Sequence, residues 1–288
     1  MKKFSSISKN NNITNITIGK FDSMHLAHQA VFKHLNSNGI ILFIKMPLSK
    51  GGSILPYNKR EKYAKNKMYY IEFDKIKDVS GKKFIKYLIK KLPNLKTIIV
   101  GQDFKFGKNR NYGTNDIPKL ANLNVISIPE ILLDEIPLHS SYIRNFILNG
   151  KVELANKLLG RFYCIEGKVV KGQGVGGKEL FPTINIKADE YILPQDGVYA
   201  TYTKINDNIF NSISFLGNRL STNMSFAIES HIINKNIKKI PKTIEIFFIK
   251  KIRDNKMFDK LESLKKQIEI DIEKSLKIIK NSDIILAY

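Results

Sequence analysis

The chain has 288 residues, a hydrophobic fraction of 43%, and 48 Lys+Arg against 26 Asp+Glu, for a formal net charge of +22. That apolar content builds real cores and excludes a disordered chain, and the length suits two domains. No uncharged apolar run is long enough to span a bilayer, and the single cysteine, Cys164, excludes an internal disulfide framework. The opening Met1-Lys2-Lys3-Phe4 leads into Ser, Lys and Asn without an apolar segment, so no signal peptide is expected. A reducing, cytoplasmic setting with no membrane partner is the expectation, with Cys164 as a partly buried strand residue. The charge raises nucleic-acid binding as one alternative. Against it, the basic residues are mostly Lys, scattered without one long run among abundant Asn and Ile, as an AT-rich genome favours. A cleft for phosphates is a simpler use of part of the charge.

In chain order, Ile16-Thr17-Ile18 reads as a buried strand ending at Gly19, followed by a helical pattern from about residue 25 to 35. Residues 40 to 44 form a second apolar run. Phe84, Tyr87, Leu88 and Leu92 keep helical spacing, and Thr97-Ile98-Ile99-Val100 is a third strand candidate, ending at Gly101. Strand, helix, strand predicts a parallel, Rossmann-like α/β domain. A helical segment follows at 152 to 159. Then short alternating runs appear near 164–170, 198–204, 209–215, 224–232 and 243–249, punctuated by Gly, Pro and Asn. They predict a small antiparallel β-barrel. Phe258, Leu261, Leu264, Ile268, Ile272, Leu276 and Ile279 predict a terminal helix packed on it. The boundary falls near Leu158 to Arg161, giving domains 1–158 and 159–288.

The sharpest feature of the first half is Gly19-Lys20-Phe21-Asp22-Ser23-Met24-His25-Leu26-Ala27-His28, a strand end, a short loop and a helix start. A helix N-terminus offers free N–H groups and a positive dipole end to an anion. His25 and His28, three apart, share a helix face and can hydrogen-bond a phosphate in transfer. The pair could also be satisfied surface histidines or metal ligands. Zinc takes three or four protein ligands, and only His34 is near.

The segment resembles the G-x-F-D-x-x-H-x-G-H signature of the nucleotidyltransferase half of bacterial bifunctional riboflavin kinase/FAD synthetases. Val100-Gly101-Gln102-Asp103-Phe104-Lys105-Phe106-Gly107 resembles that family's V-G-x-D-F-x-F-G, and His139-Ser140-Ser141-Tyr142-Ile143-Arg144 its S-S-T-x-I-R. The resemblance implies that His25 and His28 serve adenylyl transfer. It implies that Gly19, Phe21, Asp22, Ser140, Ser141 and Arg144 meet ATP, and that Asp103, Phe104, Phe106 and Gly107 shape the flavin side. For the two Phe rings, core filling is the other reading. Ser23, Ala27 and His139 stand where the family pattern has Gly, Gly and Ser.

In the second half, Gly167-x-Val169-x-x-Gly172-x-Gly174-x-Gly176-Gly177 precedes Phe181-Pro182-Thr183-Ile184-Asn185. The run follows a strand and opens no helix, so neither a P-loop nor a dinucleotide fingerprint fits. Glycines let backbone N–H groups close over phosphates, and Thr183 and Asn185 point the same way on a strand, offering hard oxygens to Mg²⁺. This run resembles the riboflavin kinase signature leading to F-P-T-A-N. The likeness continues through Tyr191 to Tyr199, through Glu229-Ser230-His231-Ile232, and through Arg253 to Phe258 with the terminal helix. It implies ATP-dependent phosphorylation of riboflavin, with Glu229 as base. Gly172, Gly174, Gly176, Thr183 and Asn185 would lie at ATP, Thr183 and Asn185 at Mg²⁺, and Arg253 and Phe258 at the flavin. Glu245 is a second strand carboxylate, and only the E-x-H context selects Glu229. The implied whole is an enzyme that turns riboflavin into FMN and FMN into FAD. A kinase with a weak or inactive adenylyltransferase half is the nearer alternative, and a basic nucleic-acid-binding protein the distant one.

Overall fold

The structure is a computed structural model that describes residues 1–47, 51–172, 181–220, 224–237 and 239–282. It divides into two compact units between Ser140 and Ser141. In the first unit the elements run β1 (Lys2–Lys3), β2 (Asn15–Gly19), α1 (Leu26–Phe32), β3 (Gly39–Lys45), β4 (Lys67–Glu72), α2 (Gly81–Lys91) and β5 (Thr97–Gly101). Then come β6 (Lys105–Phe106), β7 (Tyr112–Gly113), α3 (Ile117–Leu120), β8 (Asn124–Ile128), β9 (Leu132–Leu133) and β10 (Ile136–Pro137). Six strands form one sheet in the order β1-β4-β3-β2-β5-β8, and every pairing is parallel. The expected parallel α/β architecture is present. Ile16, Thr17 and Ile18 of β2 are all buried, as a strand covered on both faces must be. Chain order along the sheet reverses between β2 and β5. The loops leaving their carboxyl ends, after Gly19 and after Gly101, therefore open side by side at a topological switch point.

In the second unit, α4 (Ser140–Leu148) and α5 (Val152–Leu159) precede β11 (Tyr163–Val170), β12 (Ile184–Lys187), β13 (Gly197–Ile205) and β14 (Asn208–Asn218). β15 (Phe226–Ile232), β16 (Thr243–Arg253) and α6 (Leu261–Lys280) complete it. The strands close into an antiparallel barrel ordered β11-β12-β15-β14-β13-β16, with β16 returning to β11. This is the expected small barrel with a terminal helix. Asn156 clips α5 to it: its Nδ2 donates to the Phe248 carbonyl at 2.8 Å, and its Oδ1 accepts from the Tyr163 N–H at 2.6 Å. Gly160 ends α5 in the left-handed region, at φ 68°.

Ala200 and Tyr202 of β13 pack outward with Ile279 of α6. By alternation, Thr201 and Thr203 face the barrel interior. There they meet Ser212, Ser214 and Ser230, all fully buried. Ser212 Oγ donates to the Thr201 carbonyl at 3.1 Å, so its own proton is committed. It must then accept from both Thr201 at 2.7 Å and Thr203 at 2.8 Å. Those two in turn accept from Ser214 and Ser230, at 2.9 and 2.7 Å. With the Ser212 proton assigned to the Thr201 carbonyl, the five hydroxyls order into one network that converges on Ser212.

The helix face of α6 differs from its expected position. Phe258 lies in the segment before the helix, and Leu261 is 43% exposed. The innermost residues are Asp271, Ser275 and Ile279, two of them polar. Asp271 accepts from Arg253 Nε at 2.7 Å and Gln267 Nε2 at 2.9 Å, and Ser275 Oγ donates to the Ser212 carbonyl at 3.1 Å. A hydrophobic period cannot register a buried polar contact. Among the described residues, no helix is long and apolar enough to cross a membrane.

The hydroxyl order predicts unequal substitutions. Ser212→Ala strips two buried hydroxyls of their acceptor and should lower stability by about 2 to 3 kcal/mol. Ser230→Ala removes one donor and should lower it by about 1 kcal/mol. Denaturant unfolding of both variants checks this, and equal losses would contradict the order.

Candidate active sites

At the end of β2, a Cβ on Gly19 would sit 2.8 Å from the Phe21 ring, so the glycine lets that ring fold back over the strand end. Phe21 and Met24 both have left-handed backbone, at φ 42° and 53°. Each such residue costs on the order of 1–3 kcal/mol, which its surroundings must offset. Arg60 supplies much of the restraint. It is 2% exposed, and its Nε donates to the Leu55 carbonyl at 3.0 Å, Nη1 to the Lys20 carbonyl at 2.9 Å and Nη2 to Asp22 Oδ1 at 3.0 Å. The guanidinium also lies 4.2 Å from the Tyr57 ring centre. Burial lowers its pKa, while the Asp22 carboxylate and Tyr57 oppose that shift. Ser23 Oγ lies 3.1 Å from Ser140 Oγ, so a third point of the loop is tied.

His25, 3% exposed, is the N-cap of α1, and its Nδ1 accepts from the His28 N–H at 3.3 Å. With Nδ1 accepting, Nε2 carries the proton of the neutral ring and is a donor. The His25 and His28 rings stack with centres 3.6 Å apart, and Phe21 meets His28 edge-on at 5.1 Å. The spacing of three thus brings the two imidazoles together. After β5, Phe104 and Phe106 stack at 5.6 Å and pack on the main core of this unit. Asp103 Oδ1 lies 2.9 Å from where a Cβ on Gly101 would sit. Gly107 has φ 73°, and a Cβ there would lie 2.7 Å from the Gly81 nitrogen. Ser141 and Arg144 are on α4 and belong to the second unit.

In the barrel, Asn185 of β12 pairs with Val170 on one side and with Glu229 of β15 on the other. Its Nδ2 donates to Thr183 Oγ1 at 3.4 Å, so the two side chains do share a face. A Cβ on Gly172 would lie 2.5 Å from that Nδ2, which explains a glycine there by packing alone. Gly174 and Gly176 lie outside the described residues. Arg219, directly after β14, stands between Asn185 and Glu229. Its Nε and Nη2 reach Glu229 Oε1 at 2.7 and 2.6 Å, Nη2 also reaches Asn185 Oδ1 at 2.6 Å, and Nη1 donates to Ser225 Oγ at 2.9 Å. Glu229 is therefore one side of a hydroxyl, amide and carboxylate cluster organised round a guanidinium.

Comparison with known proteins finds a different family match in each half of the chain. A riboflavin kinase family model matches residues 159–279, and an FAD synthetase family model matches 57–142. A bifunctional riboflavin kinase/FMN adenylyltransferase of Buchnera aphidicola subsp. Schizaphis graminum is 33% identical, covering 93% of this chain and 95% of the relative. The protein of that description from Haemophilus influenzae is 30% identical over 90% and 92%. The chain belongs to the bifunctional riboflavin kinase/FMN adenylyltransferase family. A solved structure described as a macrolide-efflux protein from Streptococcus pneumoniae, 24% identical, aligns with a TM-score of 0.85 over 98% of both chains, and that likeness speaks to the fold alone.

Within this family assignment, the remaining expected residues have definite places. Arg253 and Phe258 come together, with the guanidinium 5.7 Å from the ring centre, while Arg253 Nε is committed to Asp271. Glu245 lies on β16, where it pairs with Glu166 of β11 and Lys204 of β13, and β16 is not a neighbour of the β12 strand that carries Asn185. Sequence reasoning missed Arg60 and Arg219. Arg60 sits in Tyr57-Asn58-Lys59-Arg60-Glu61-Lys62, where nothing separates it from solvated neighbours. Arg219 had a weak signal: it follows Gly217, whose φ of 135° marks a special strand end.

His231, two residues past Glu229, anchors the segment leading to Thr183. Its Nδ1 donates to the Pro182 carbonyl at 2.8 Å, and Phe181 meets its ring at 5.2 Å. Burial lowers the imidazole pKa, and the Pro182 bond partly opposes this. A folded value below the ordinary ~6.5 gives stability that is whole above that pH and lost as pH falls through the folded value. Melting temperature should therefore drop more steeply below neutral pH in the wild type than in His231→Asn. Parallel slopes would remove His231 as the cause.

Proposed function

We propose that the barrel unit phosphorylates riboflavin to FMN with ATP, and that the parallel-sheet unit adenylylates FMN to FAD with a second ATP. The observation that carries the kinase reading is the placing of Thr183, Asn185 and Glu229 on one face of adjacent strands, within the riboflavin kinase match. The ribityl 5′-hydroxyl gives its proton to the Glu229 carboxylate as its oxygen attacks the γ-phosphorus, and ADP leaves. In the other unit an FMN phosphate oxygen attacks the α-phosphorus of ATP and pyrophosphate leaves. His25 and His28, stacked over the loop after Gly19, donate to the charge that develops. We assign adenylylation to residues 1–158 and the kinase to 159–288; the start of the kinase match at 159 supports this boundary, which counts α4 and α5 with the adenylyltransferase although the compact units divide at Ser140/Ser141.

Thr183 Oγ1, Asn185 Oδ1 and the Glu229 carboxylate are hard oxygens, and Asn185 Oδ1 keeps a second lone pair beyond the one that Arg219 Nη2 occupies. This donor set fits Mg²⁺, which Thr183 and Asn185 would hold beside the ATP phosphates. There it would neutralise phosphate charge. Among the described residues no group of three or more His, Cys, Asp or Glu gathers as a metal site, so such an ion would rest on neutral oxygens and phosphate. Dependence on ATP and a sequence with a single cysteine, Cys164, fit work in the cytoplasm.

One observation favours a second reading, with slow adenylylation: Ser23, where the family pattern has glycine, occupies Ser140 by a hydrogen bond. Product analysis separates the two. The purified chain with riboflavin, Mg²⁺ and ATP should give FMN, then FAD. FMN alone would support the second reading, and no flavin product would overturn both. Glu229→Gln should slow FMN formation by about 10²-fold or more while sparing FMN-to-FAD conversion, and His28→Ala should do the reverse. Joint loss of both steps in either variant would refute the assignment of separate sites.

A further inference from the structure

Arg219 belongs to none of the motifs that carry the family resemblance, yet it bonds Glu229, Asn185 and Ser225 in the barrel cluster. Building on the kinase reading above, we propose that Arg219 is a positioning residue for riboflavin phosphorylation. It aims the Glu229 carboxylate and fixes which end of the Asn185 amide faces the reacting groups.

The argument begins with what a guanidinium can do. It only donates, and its donors lie in one rigid plane. Nε and Nη2 both fall on Glu229 Oε1, at 2.7 and 2.6 Å. This is not the fork-to-fork arrangement, which would engage both carboxylate oxygens. One oxygen is held, and Oε2 remains to take a proton. The same Nη2 reaches Asn185 Oδ1 at 2.6 Å. Thr183 Oγ1 could accept from an amide nitrogen or donate to an amide oxygen, so the threonine alone leaves the Asn185 amide free to flip. Arg219 cannot accept, so the carbonyl must face it and Nδ2 must face Thr183. Ser225 Oγ, 2.9 Å from Nη1, fixes the rotation of the guanidinium itself. The pair is only partly shielded, with side chains 17% and 20% exposed, so the cluster stays open to a substrate on one side.

A lysine at this position would keep the charge but lose the plane. It could meet one of the two oxygens well, not both in fixed geometry. This separates positioning from simple charge neutralisation.

The test uses the full-length chain and follows each step separately. Arg219→Ala should lower kcat for FMN formation at least about tenfold, with the riboflavin KM within about threefold of wild type and FMN-to-FAD conversion unchanged. Millimolar guanidinium, far below denaturing levels, should restore part of the lost kcat in Arg219→Ala and none in Glu229→Gln. Arg219→Lys should fall between wild type and alanine. If Arg219→Ala does not fold, the lysine variant carries the test: intermediate kcat at unchanged KM supports the proposal, and wild-type kcat overturns it. Wild-type kcat in Arg219→Ala, or a loss that guanidinium does not relieve, also overturns it. A wild-type chain that makes no FMN would remove the kinase reading itself, which is a different outcome from an arginine that does not matter.

Discussion

A guanidinium keeps its charge at any pH the protein meets, so an arginine drawn inside must be given acceptors wherever its planar fork points. Both candidate sites are arranged round that requirement. Arg60 collects the Leu55 and Lys20 carbonyls and the Asp22 carboxylate, and in doing so holds a loop whose backbone is strained at two residues. Arg219 collects Glu229, Asn185 and Ser225 from two strands and a connection. In each case oxygens that would repel one another share a single cation, and removing it would leave them uncompensated.

The remaining positive charge has another character. Surface pairs such as Lys3 with Glu72, at 2.9 Å with both side chains well exposed, contribute little, since water and salt screen them. Hence a net charge of +22 says less about this protein than two internal arginines do. The scatter of lysines along the sequence already argued against one binding face for nucleic acid.

The two architectures were legible because their patterns come from burial. β2, β3 and β5 are buried on both faces and read as short, mostly apolar runs, while a barrel strand such as β11 alternates buried with part-buried residues. β4 and β8 were not singled out. Lys67–Glu72 is covered on one edge only by the two residues of β1, and Asn124–Ile128 is the outer strand of the sheet, so neither needs an apolar run. The motif residues His25 with His28, and Asn185 with Glu229, were legible through spacing and family likeness. Their arginine partners were not, because a hydrogen bond between residues 34 or 38 apart in the chain leaves no periodic trace. The helix α6 lay between these cases: its presence followed from its aliphatic period, whereas its true inner line runs through Asp271 and Ser275.

That inner line bears on the stretch of chain from Asp254 to Lys260. Aliphatic side chains alone would let a helix slip along a barrel by one turn, about 5.4 Å, at modest cost. Slipping α6 would take the buried Asp271 carboxylate away from Arg253, so the helix is clocked by that ion pair. The clasp joins the end of β16 to the middle of α6, which fixes the span between the two. The stretch that carries Phe258 is therefore anchored at both ends. Its freedom is thereby reduced to a change of curvature between the two fixed ends.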